Sequence, residues 1–456
     1  MHSSNLTSSP VGGSPPPGTT APPAGTADDG PLSRFHVKIT ALTFGANFSD
    51  GYALGSIGIA LTAIAPQMSL GPVWQGVLGA SMLIGIFFGS VILGWLGDKF
   101  GRRRVYMLDF LLIAVTSLAQ FFVDGPVALL VLRLLIGFGV GADYALGPTL
   151  VAEFVPRRFR GGLLASLTVM WTVGYVVAYF AGTYLVQLSD DSWRWLLASG
   201  TIPALVVLIL RIGTPESPRW LISKGRLAEA REIANAYLGG FLDVEKIAAE
   251  QPPEPARYRD FFGRKYRRNT AFGMLFFNCQ VIPYFAIYTF LPILMLEIGL
   301  GDREFLGGAL LNLFLLLGGI AGLWFVAKMS RRHLLISSFL IMAVSLAVVA
   351  IGPDGPLPLV LGAFIIFTFV MSGASNLEQV YPPELFPTEL RGSGVGLLNG
   401  GSRIGSAAGT FLLPIALSSF GLTASMLGLV IVLVVGAVSS LLMAPETAHL
   451  ALEDCT

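Results

Sequence analysis

The sequence predicts an all-α membrane protein in which twelve transmembrane helices form two pseudo-symmetric six-helix bundles. Three observations support this fold class. Only 12% of the 456 residues are charged, which is about half of the proportion in soluble domains. Apolar runs of helical length follow one another along the chain, and a set of short motifs recurs after about 230 residues.

Each apolar run is long enough to cross a bilayer, since about 20 helical residues span roughly 30 Å of hydrocarbon. The first six runs are predicted near residues 38–66, 73–96, 105–122, 127–152, 162–188 and 194–213. The second six are predicted near residues 268–297, 304–327, 333–352, 357–380, 393–419 and 422–444.

The segments around these runs define the predicted domains. Residues 1–33 consist largely of Ser, Thr, Pro, Gly and Ala, and such a composition buries too little apolar surface to fold, so we expect a disordered tail. The tail lacks the charged start and apolar core of a signal peptide. The predicted order is the tail, an N-terminal bundle at 34–213, a linker with short helices at 214–267, a C-terminal bundle at 268–444, and a tail at 445–456.

The loops differ sharply in basic residues, and this difference predicts the orientation. One set of loops contains most of them: Arg34, Lys38, Lys99, Arg102, Arg103, Arg104, Arg157, Arg158, Arg160, those of 211–268, Lys328, Arg331, Arg332 and Arg391. The other set contains Arg194 and Arg303. Because positively charged loops stay in the cytoplasm, both termini are predicted to be cytoplasmic, with the chain in the plasma or inner membrane.

An internal repeat supports the two halves. The motif of Glu153, Pro156, Arg160 and Gly161 recurs 231 positions later as Glu384, Pro387, Arg391 and Gly392. Pro215 and Glu216 recur as Pro445 and Glu446, and the segment from Asp98 to Arg103 recurs in degraded form from Ala327 to Arg332. Transporters built from repeats bind their substrate near the membrane midplane between the halves.

The stretch GWLGDKFGRRR, from Gly94 to Arg104, joins two apolar runs and fits the pattern G-x-x-x-D-[KR]-x-G-[KR]-[KR]. With this motif the chain resembles the major facilitator superfamily, whose loop between helices 2 and 3 carries that pattern. The resemblance implies a latch between the cytoplasmic ends of the halves, and the alternative is a generic basic topology signal. Because Ala327 replaces the acid in the second copy, we expect asymmetric latching.

The resemblance also implies a cytoplasmic gate. Its predicted residues are Gly94, Asp98, Lys99, Gly101, Arg102, Arg103, Glu153, Arg160, Glu216, Arg219, Glu384 and Arg391. We expect salt bridges among the charges at the helix ends, and the alternative is that these charges are solvated. The stretch PESPRWL and the later PET resemble the sugar-porter branch and its organic-ion and niacin-transporter relatives.

Charges inside a membrane span are expensive and therefore mark functional sites. Asp50 lies in the middle of the first span and Arg133 in the outer half of the fourth. A carboxyl group removed from water binds a proton more readily, so Asp50 is a candidate to load and release a proton. In sugar porters a first-span acid is coupled to this arginine, and the resemblance therefore implies an Asp50–Arg133 pair. The alternative for Asp50 is a role in helix packing or in a polar network.

Further polar and aromatic residues in the spans are candidates for substrate binding. They are Tyr52, Asp143, Tyr144, Trp171, Tyr175, Gln280, Tyr284, Tyr288, Asn376, Glu378, Asn399 and Arg403. Asp143 is expected either to line the inner cavity or to pair with a cytoplasmic arginine. Trp171 and Tyr175 belong to a four-residue stripe that faces either lipid and packing neighbours or the substrate. Arg403 is expected to bind a substrate carboxylate or to pair with Glu378.

The sequence thus predicts a secondary transporter that imports a small polar metabolite with protons, the metabolite being an organic acid, a sugar or a sugar acid. The alternatives are a proton-driven efflux antiporter and an uncoupled facilitator of the same fold. No nucleotide-binding loop and no catalytic or metal-ligand constellation is found, so neither an enzyme nor a cofactor is predicted. The net charge of +1 argues against nucleic acid as a partner. The predicted partners are the substrate, the proton and the lipid bilayer, and a monomer is expected.

Overall fold

The computed structural model describes residues 32–155, 157–238, 242, 244–249, 258–300, 304–352, 355–386 and 388–447. Side chains within helices are not described for Ala152, Arg157, Arg158, Arg160, Tyr258, Glu304, Thr388, Glu389, Arg391 and Gly392. The predicted tails lie almost entirely outside the described residues. The domain boundaries given above therefore stay predictions.

Seven helices form the first half. They are α1 (Arg34–Gln67), α2 (Pro72–Phe100), α3 (Arg102–Ala119), α4 (Pro126–Phe154), α5 (Arg157–Val186), α6 (Ser192–Ser199) and α7 (Thr201–Arg211). The helices α6 and α7 meet at Gly200 and together make the sixth span. The first span begins earlier than predicted because Ser33 caps α1, its hydroxyl accepting the backbone N–H of His36 at 3.3 Å.

The described part of the linker contains four short helices: α8 (Pro218–Ser223), α9 (Leu227–Tyr237), α10 (Val244–Ala249) and α11 (Tyr258–Phe261). The second half contains α12 (Arg267–Thr289), α13 (Leu291–Glu297), α14 (Glu304–Lys328), α15 (Arg331–Ile351), α16 (Leu357–Ser375), α17 (Leu377–Glu384) and α18 (Thr388–Met443). The pairs α12–α13 and α16–α17 each follow one path with a break.

The long α18 contains two spans, because Gly421 within it has φ 77° and ψ 178° and turns the chain. Glycine adopts this backbone conformation without the steric cost that other residues meet. Within the described residues, eleven helical stretches are long and apolar enough to cross a membrane, and α18 counts as one of them. Dividing α18 at Gly421 gives twelve transmembrane helices, which confirms the predicted fold class.

Glycines bring the helix backbones into contact inside each half. A Cβ added to Gly89 of α2 would lie 2.0 Å from the carbonyl oxygen of Phe138 on α4. In the reverse direction, a Cβ added to Gly137 of α4 would lie 2.1 Å from the carbonyl oxygen of Met82 on α2. The same approach joins α1 to α5, where a Cβ on Gly174 would lie 2.0 Å from the carbonyl oxygen of Phe48. Small residues permit such close packing of membrane helices.

The end of the molecule that carries the α2–α3 loop, the linker helices and the start of α15 is called the basic face, and the other end is called the opposite face. Near the opposite face the halves touch backbone to backbone. A Cβ on Gly58 of α1 would lie 2.2 Å from the carbonyl oxygen of Thr289, and one on Gly76 of α2 would lie 2.3 Å from that of Phe411. The halves are therefore closed against each other on that side.

Substitution of Gly89 by alanine is expected to destabilise the first half by about 1–3 kcal/mol, because the added methyl group forces α2 and α4 apart. The measurement is the melting temperature of the purified protein in detergent. Gly428→Ala is the matched control, since no atom lies within 4 Å of the Cβ it would add. Equal melting temperatures for the two variants would contradict the packing described here.

Candidate functional site

A cleft of about 540 Å³, which includes space open to solvent, lies between the two halves. The first half contributes residues from α1, α4 and α5, and the second half contributes residues from α12, α17, α18 and the end of α16. The lining residues are Asn47, Tyr144, Thr168, Trp171, Thr172, Val281, Tyr284, Phe285, Ser375, Glu378, Gln379 and Arg403. Both halves therefore enclose one site that is mostly polar and aromatic.

Arg403 contributes a cation to this cleft, and its guanidinium group packs against two aromatic rings. Its guanidinium carbon lies 4.9 Å from the ring centre of Tyr144 and 5.7 Å from that of Phe285. Glu378 lines the same cleft and acts on Arg403 electrostatically. Neither residue forms a salt bridge within the part of the chain that the structure describes. The Arg403 charge is thus desolvated without a paired carboxylate.

Aromatic side chains form one wall of the cleft. The ring centres of Trp171 and Tyr284 lie 5.9 Å apart, and those of Trp171 and Phe285 lie 6.1 Å apart. The indole Nε1 of Trp171 and the hydroxyl of Thr168 are buried, and neither has a hydrogen-bond partner among the described residues. Because a buried donor without a partner is costly, these two groups are available to a ligand.

The aromatic stripe of α5 faces the interior of the protein. Trp171, Tyr175 and Tyr179 are all buried, so the lipid-facing alternative for this stripe is wrong. Of the three, Trp171 lines the cleft. Tyr175 instead joins the two halves, its hydroxyl donating to the carbonyl oxygen of Tyr288 on α12 at 2.6 Å.

The structure brings part of the predicted substrate set into the cleft. Tyr144, Trp171, Tyr284, Glu378 and Arg403 line it. The predicted residues outside the lining are Tyr52, Asp143, Tyr175, Gln280, Tyr288, Asn376 and Asn399.

Hydrogen bonds to other protein groups explain why several predicted residues do not line the cleft. The hydroxyl of Tyr52 lies 2.6 Å from that of Ser199 within the first half, and the Tyr288 hydroxyl donates to Thr368 at 3.0 Å. The side-chain amide of Asn376 donates to the carbonyl oxygen of Gly319 at 3.0 Å. These groups are occupied by protein partners and serve packing.

Sequence reasoning missed seven lining residues: Asn47, Thr168, Thr172, Val281, Phe285, Ser375 and Gln379. A signal for some of them was present. Thr168 and Thr172 are a polar pair four residues apart in an apolar run, and such pairs lie on one helix face. Ser375 and Gln379 flank the predicted residues Asn376 and Glu378. Val281 and Phe285 carried no such signal, because they cannot be distinguished from packing residues in the sequence.

A buried charged cluster lies inside the first half. Asp50 and Asp143 are fully buried neighbours whose carboxyl groups interact electrostatically. The hydroxyl of Tyr106 donates to Oδ1 of Asp143. Arg211, the last residue of α7, has its Nη2 3.9 Å from the same oxygen, and its guanidinium carbon lies 3.1 Å from the ring centre of Tyr106. The cluster combines two acids, one cation and one phenol.

The predicted Asp50–Arg133 pair is wrong in this structure. Arg133 is buried, its Nη2 lies 3.7 Å from the sulfur of Met82, and it forms no salt bridge with a described residue. Asp50 is level with Asp143, which lies about 15 Å further along α4 than Arg133 at 1.5 Å per residue. The cation that acts on Asp50 is Arg211, which ends the sixth span. Of the two alternatives for Asp143, pairing with an arginine is the one observed.

Two matching networks of charges tie the basic face together. In the first half, Glu153 forms a salt bridge with Arg102 and accepts the Ser217 hydroxyl at 2.5 Å, while Glu216 accepts the backbone N–H of Arg103 at 3.1 Å. In the second half, Glu384 forms a salt bridge with Arg331 at 3.3 Å and accepts the Thr447 hydroxyl at 2.5 Å, while Glu446 accepts the backbone N–H of Arg331 at 3.1 Å. The repeat seen in the sequence is therefore a repeat of contacts.

The structure places the predicted gate residues within their own halves. Every described salt bridge at the basic face joins residues of one half or of the linker. Asp98 lies 3.7 Å from Arg102, and the carbonyl oxygen of Asp98 accepts the Trp220 indole N–H at 2.9 Å. Lys99 and Arg219 are exposed, and Gly94 packs against α4. The side chains of Arg160 and Arg391 lie outside the described residues.

Gly101 shows why the loop pattern requires glycine. Its φ is +107°, and a Cβ at this position would lie 2.6 Å from Oε2 of Glu216. The missing side chain lets the Glu216 carboxylate reach the backbone N–H groups at the start of α3, where a negative charge is favourable.

A twelve-helix protein with two repeated halves around a central polar cleft is a transporter of the major facilitator class. The sequence agrees, since the family model "Sugar (and other) transporter" matches residues 39–456. The chain therefore belongs to this family of membrane transporters and is not an enzyme.

Several known proteins align with this chain over most of its length. It is 45% identical to the inner membrane metabolite transport protein YgcS of Escherichia coli K12, over 93% of this chain and 95% of that protein. It is 39% identical to the putative metabolite transport protein YaaU of the same organism, over 94% and 96%. The niacin transporter NiaP of Acinetobacter baylyi is 26% identical over 83% of this chain and 86% of that protein.

Solved structures show the same fold. The partially occluded inward-open structure of the xylose transporter XylE from E. coli has a TM-score of 0.77, with 20% identity, 91% of this chain covered and 99% of that chain. XylE bound to 6-bromo-6-deoxy-D-glucose, described as a proton:xylose symporter, has a TM-score of 0.72 with 20% identity, over 92% and 98%.

Replacement of Glu153 by glutamine is expected to lower stability by about 1.5–3 kcal/mol, because Arg102 and Ser217 both lose a charged partner. The measurement is the melting temperature in detergent. Glu229→Gln is the control: Glu229 pairs with Arg226 at 2.5 Å, but their side chains are 52% and 48% exposed, and exposed pairs contribute less than about 1 kcal/mol. Equal losses would refute a structural role for the Glu153 network.

Proposed function

We propose that the protein imports a small organic anion, an organic acid or a sugar acid, together with protons. The observation that carries this proposal is Arg403, a buried cation in the central cleft with no salt-bridge partner among the described residues. A carboxylate is the natural partner of such a group, since bonds between a guanidinium and a carboxylate are charge-assisted and two-pronged.

The rest of the cleft supports a ligand with several polar groups. The unpaired Trp171 Nε1 and Thr168 hydroxyl are available donors. Glu378 and Gln379 offer acceptors for substrate hydroxyl groups, and the rings of Trp171 and Tyr284 offer an apolar wall. A few convergent polar groups on an aromatic surface are typical of small-molecule sites. This chemistry favours an acid that carries hydroxyl groups or a flat carbon skeleton.

Electrostatics supports the coupling to protons. Moving one negative charge into a cell against a negative-inside potential costs about 2.3 kcal/mol per 100 mV. One proton carried with each negative charge makes the step electrically neutral. Asp50 is the proposed proton carrier, because its carboxyl oxygens are buried without a hydrogen-bond donor among the described residues, and acids inside a membrane domain mark proton sites.

The orientation follows from the charges. The basic face is proposed to be cytoplasmic, which places both termini in the cytoplasm of a cell whose plasma or inner membrane holds the protein. Large apolar side chains such as Val91, Leu118 and Ile209 are exposed on the outside of the helices, as expected for contact with lipid. The proposed unit is a monomer, since one chain encloses the cleft.

Uptake into proteoliposomes tests the substrate class. We expect uptake of labelled organic acids or sugar acids to saturate with increasing concentration, and we expect no uptake of neutral sugars. Arg403→Gln is expected to raise the KM for the acid by at least about tenfold, because losing one charged hydrogen bond costs about 1.5–3 kcal/mol, and Arg403→Lys is expected to restore part of it. Arg226→Gln, which removes the same charge from the linker surface, is the control. Transport of neutral sugars that is indifferent to Arg403→Gln would reject the organic anion.

The Asp50→Asn variant tests coupling. An inward proton gradient is expected to drive uptake by the unmodified protein but not by the variant, while gradient-free exchange of labelled for unlabelled substrate persists in both. Uptake that ignores the gradient in both proteins would make this a facilitator. Accumulation only under an outward gradient would make it an efflux antiporter.

A further inference from the structure

A second cavity, with about 420 Å³ of empty space that includes open solvent, lies inside the first half and not between the halves. Arg103, at the start of α3 on the basic face, lines it, as do Thr43 and Leu150. Deeper inside, Tyr106 and Arg211 line it. The cavity therefore leads from the basic face to the buried cluster around Asp143.

The carboxyl pair of Asp50 and Asp143 lies next to this cavity and to the central cleft and lines neither of them. On α1, Thr43 lines the second cavity and Asn47 lines the central cleft, while Asp50 belongs to neither lining. On α4, Asp143 is covered by Tyr106 on the side of the second cavity, and its neighbour Tyr144 lines the central cleft. The acid pair therefore adjoins both spaces through its neighbours Tyr106 and Tyr144.

The balance of charge around Asp50 and Asp143 requires a bound proton. The charged groups that act on Asp50 are Asp143 on α4, Asp109 on α3 and Arg211 on α7. Tyr144 is a further titratable neighbour of both Asp50 and Asp143. Ionisation of all three acids would leave two uncompensated negative charges in a buried site, and the cost of such burial favours protonation.

We propose that the proton carried with the substrate is held between Asp50 and Asp143 and leaves to the basic face through the second cavity, past Tyr106 and Arg211. The substrate uses the central cleft, so the two cargoes follow separate routes. This inference rests on the proposed function of proton-coupled import. It adds Asp143 as a proton-holding residue, Tyr106 as a relay and Arg211 as a positioning residue.

The release step is a proton transfer that leaves the relay unchanged. The Tyr106 hydroxyl, which donates to Asp143, first turns towards the second cavity. The O–H bond of the acid pair then breaks, the Tyr106 oxygen accepts that proton, and its original hydroxyl proton passes to water in the cavity. One proton has then left the pair, which carries two negative charges. Arg211 balances one of them, since its Nη2 is already 3.9 Å from Oδ1 of Asp143.

Two variants test the route in proteoliposomes. Leu150→Trp narrows the second cavity at a residue that belongs neither to the charged cluster nor to the lining of the central cleft, and Leu150→Met, which keeps the side chain close to the size of leucine, is its control. Leu150→Trp is expected to reduce gradient-driven uptake at least about tenfold, which corresponds to about 1.4 kcal/mol in the barrier. Exchange of labelled for unlabelled substrate needs no net proton movement and is expected to persist, which also shows that the variant is folded.

Arg211 provides the second variant, with a different readout. Arg211→Gln leaves the deprotonated pair without its cation, so the internal pH needed for half-maximal gradient-driven uptake is expected to rise, whereas Arg211→Lys keeps the profile near that of the unmodified protein. A merely structural role for Arg211 would lower uptake at every pH without moving the profile.

The outcomes separate the two proposals. If the gradient drives uptake, Asp50→Asn abolishes this drive, and Leu150→Trp and Arg211→Gln both behave like the unmodified protein, then symport stands and the route through the second cavity is wrong. If the gradient has no effect on the unmodified protein, the proposed function itself fails. If Leu150→Trp also loses exchange, the pH profile of Arg211→Gln decides whether the proposed route is right: a shifted profile supports the route, and an unshifted profile contradicts it.

Discussion

The cost of placing charge in a low-dielectric interior constrains the whole arrangement. At the basic face, each carboxylate that is removed from water has an arginine or backbone N–H groups as partners, as Glu153 and Glu384 show. Inside the bundle, charge is concentrated at two places, the acid cluster of the first half and the central cleft. Aromatic rings around Arg403 and Arg211 replace part of the lost hydration through their negative faces. The protein groups at each interior site do not balance its charge. A proton can neutralise excess negative charge in the acid cluster, and a substrate anion can pair with Arg403 in the central cleft.

The two halves repeat their scaffold but not these interior charges. The basic-face networks correspond contact by contact, although Ala327 stands where the first half has Asp98. Positions 229–231 residues after Asp50, Asp143 and Arg211 contain no charged residue; Cys279, Gly373 and Leu441 are among them. In the other direction, 230 positions before Arg403 lies Val173. Under the proposed function, the first half therefore carries the proton and the second half supplies the cation that binds the substrate.

Periodicity and charge bias predicted what depends on sequence-local physics. The twelve spans and the repeat of Glu153 as Glu384 follow from composition and spacing. The partner of Asp50 did not, because depth within a bundle depends on where each helix begins and how it is shifted against its neighbours. In the structure Asp50 meets Asp143 and not Arg133. In the sequence Arg211 is one of many basic residues near a helix end, and no pattern indicates that its side chain turns inward over Tyr106.

The link between the two cavities lies in adjacent residues of α4. Asp143 belongs to the proton cluster, and Tyr144 supports the Arg403 guanidinium at 4.9 Å from its ring centre. Tyr144 also lies within the electrostatic reach of Asp50, Asp143 and Glu378. Under the proposed function, a substrate carboxylate on Arg403 would cancel the positive charge that acts on Tyr144 and Glu378 and would bring a negative charge close to Tyr144. An anion in the cleft therefore strengthens proton binding by the pair, and a bound proton strengthens anion binding, because such coupling is reciprocal. Symport in the proposed sense requires this mutual dependence, and the Tyr144 ring is where the structure provides the contact between the two sites.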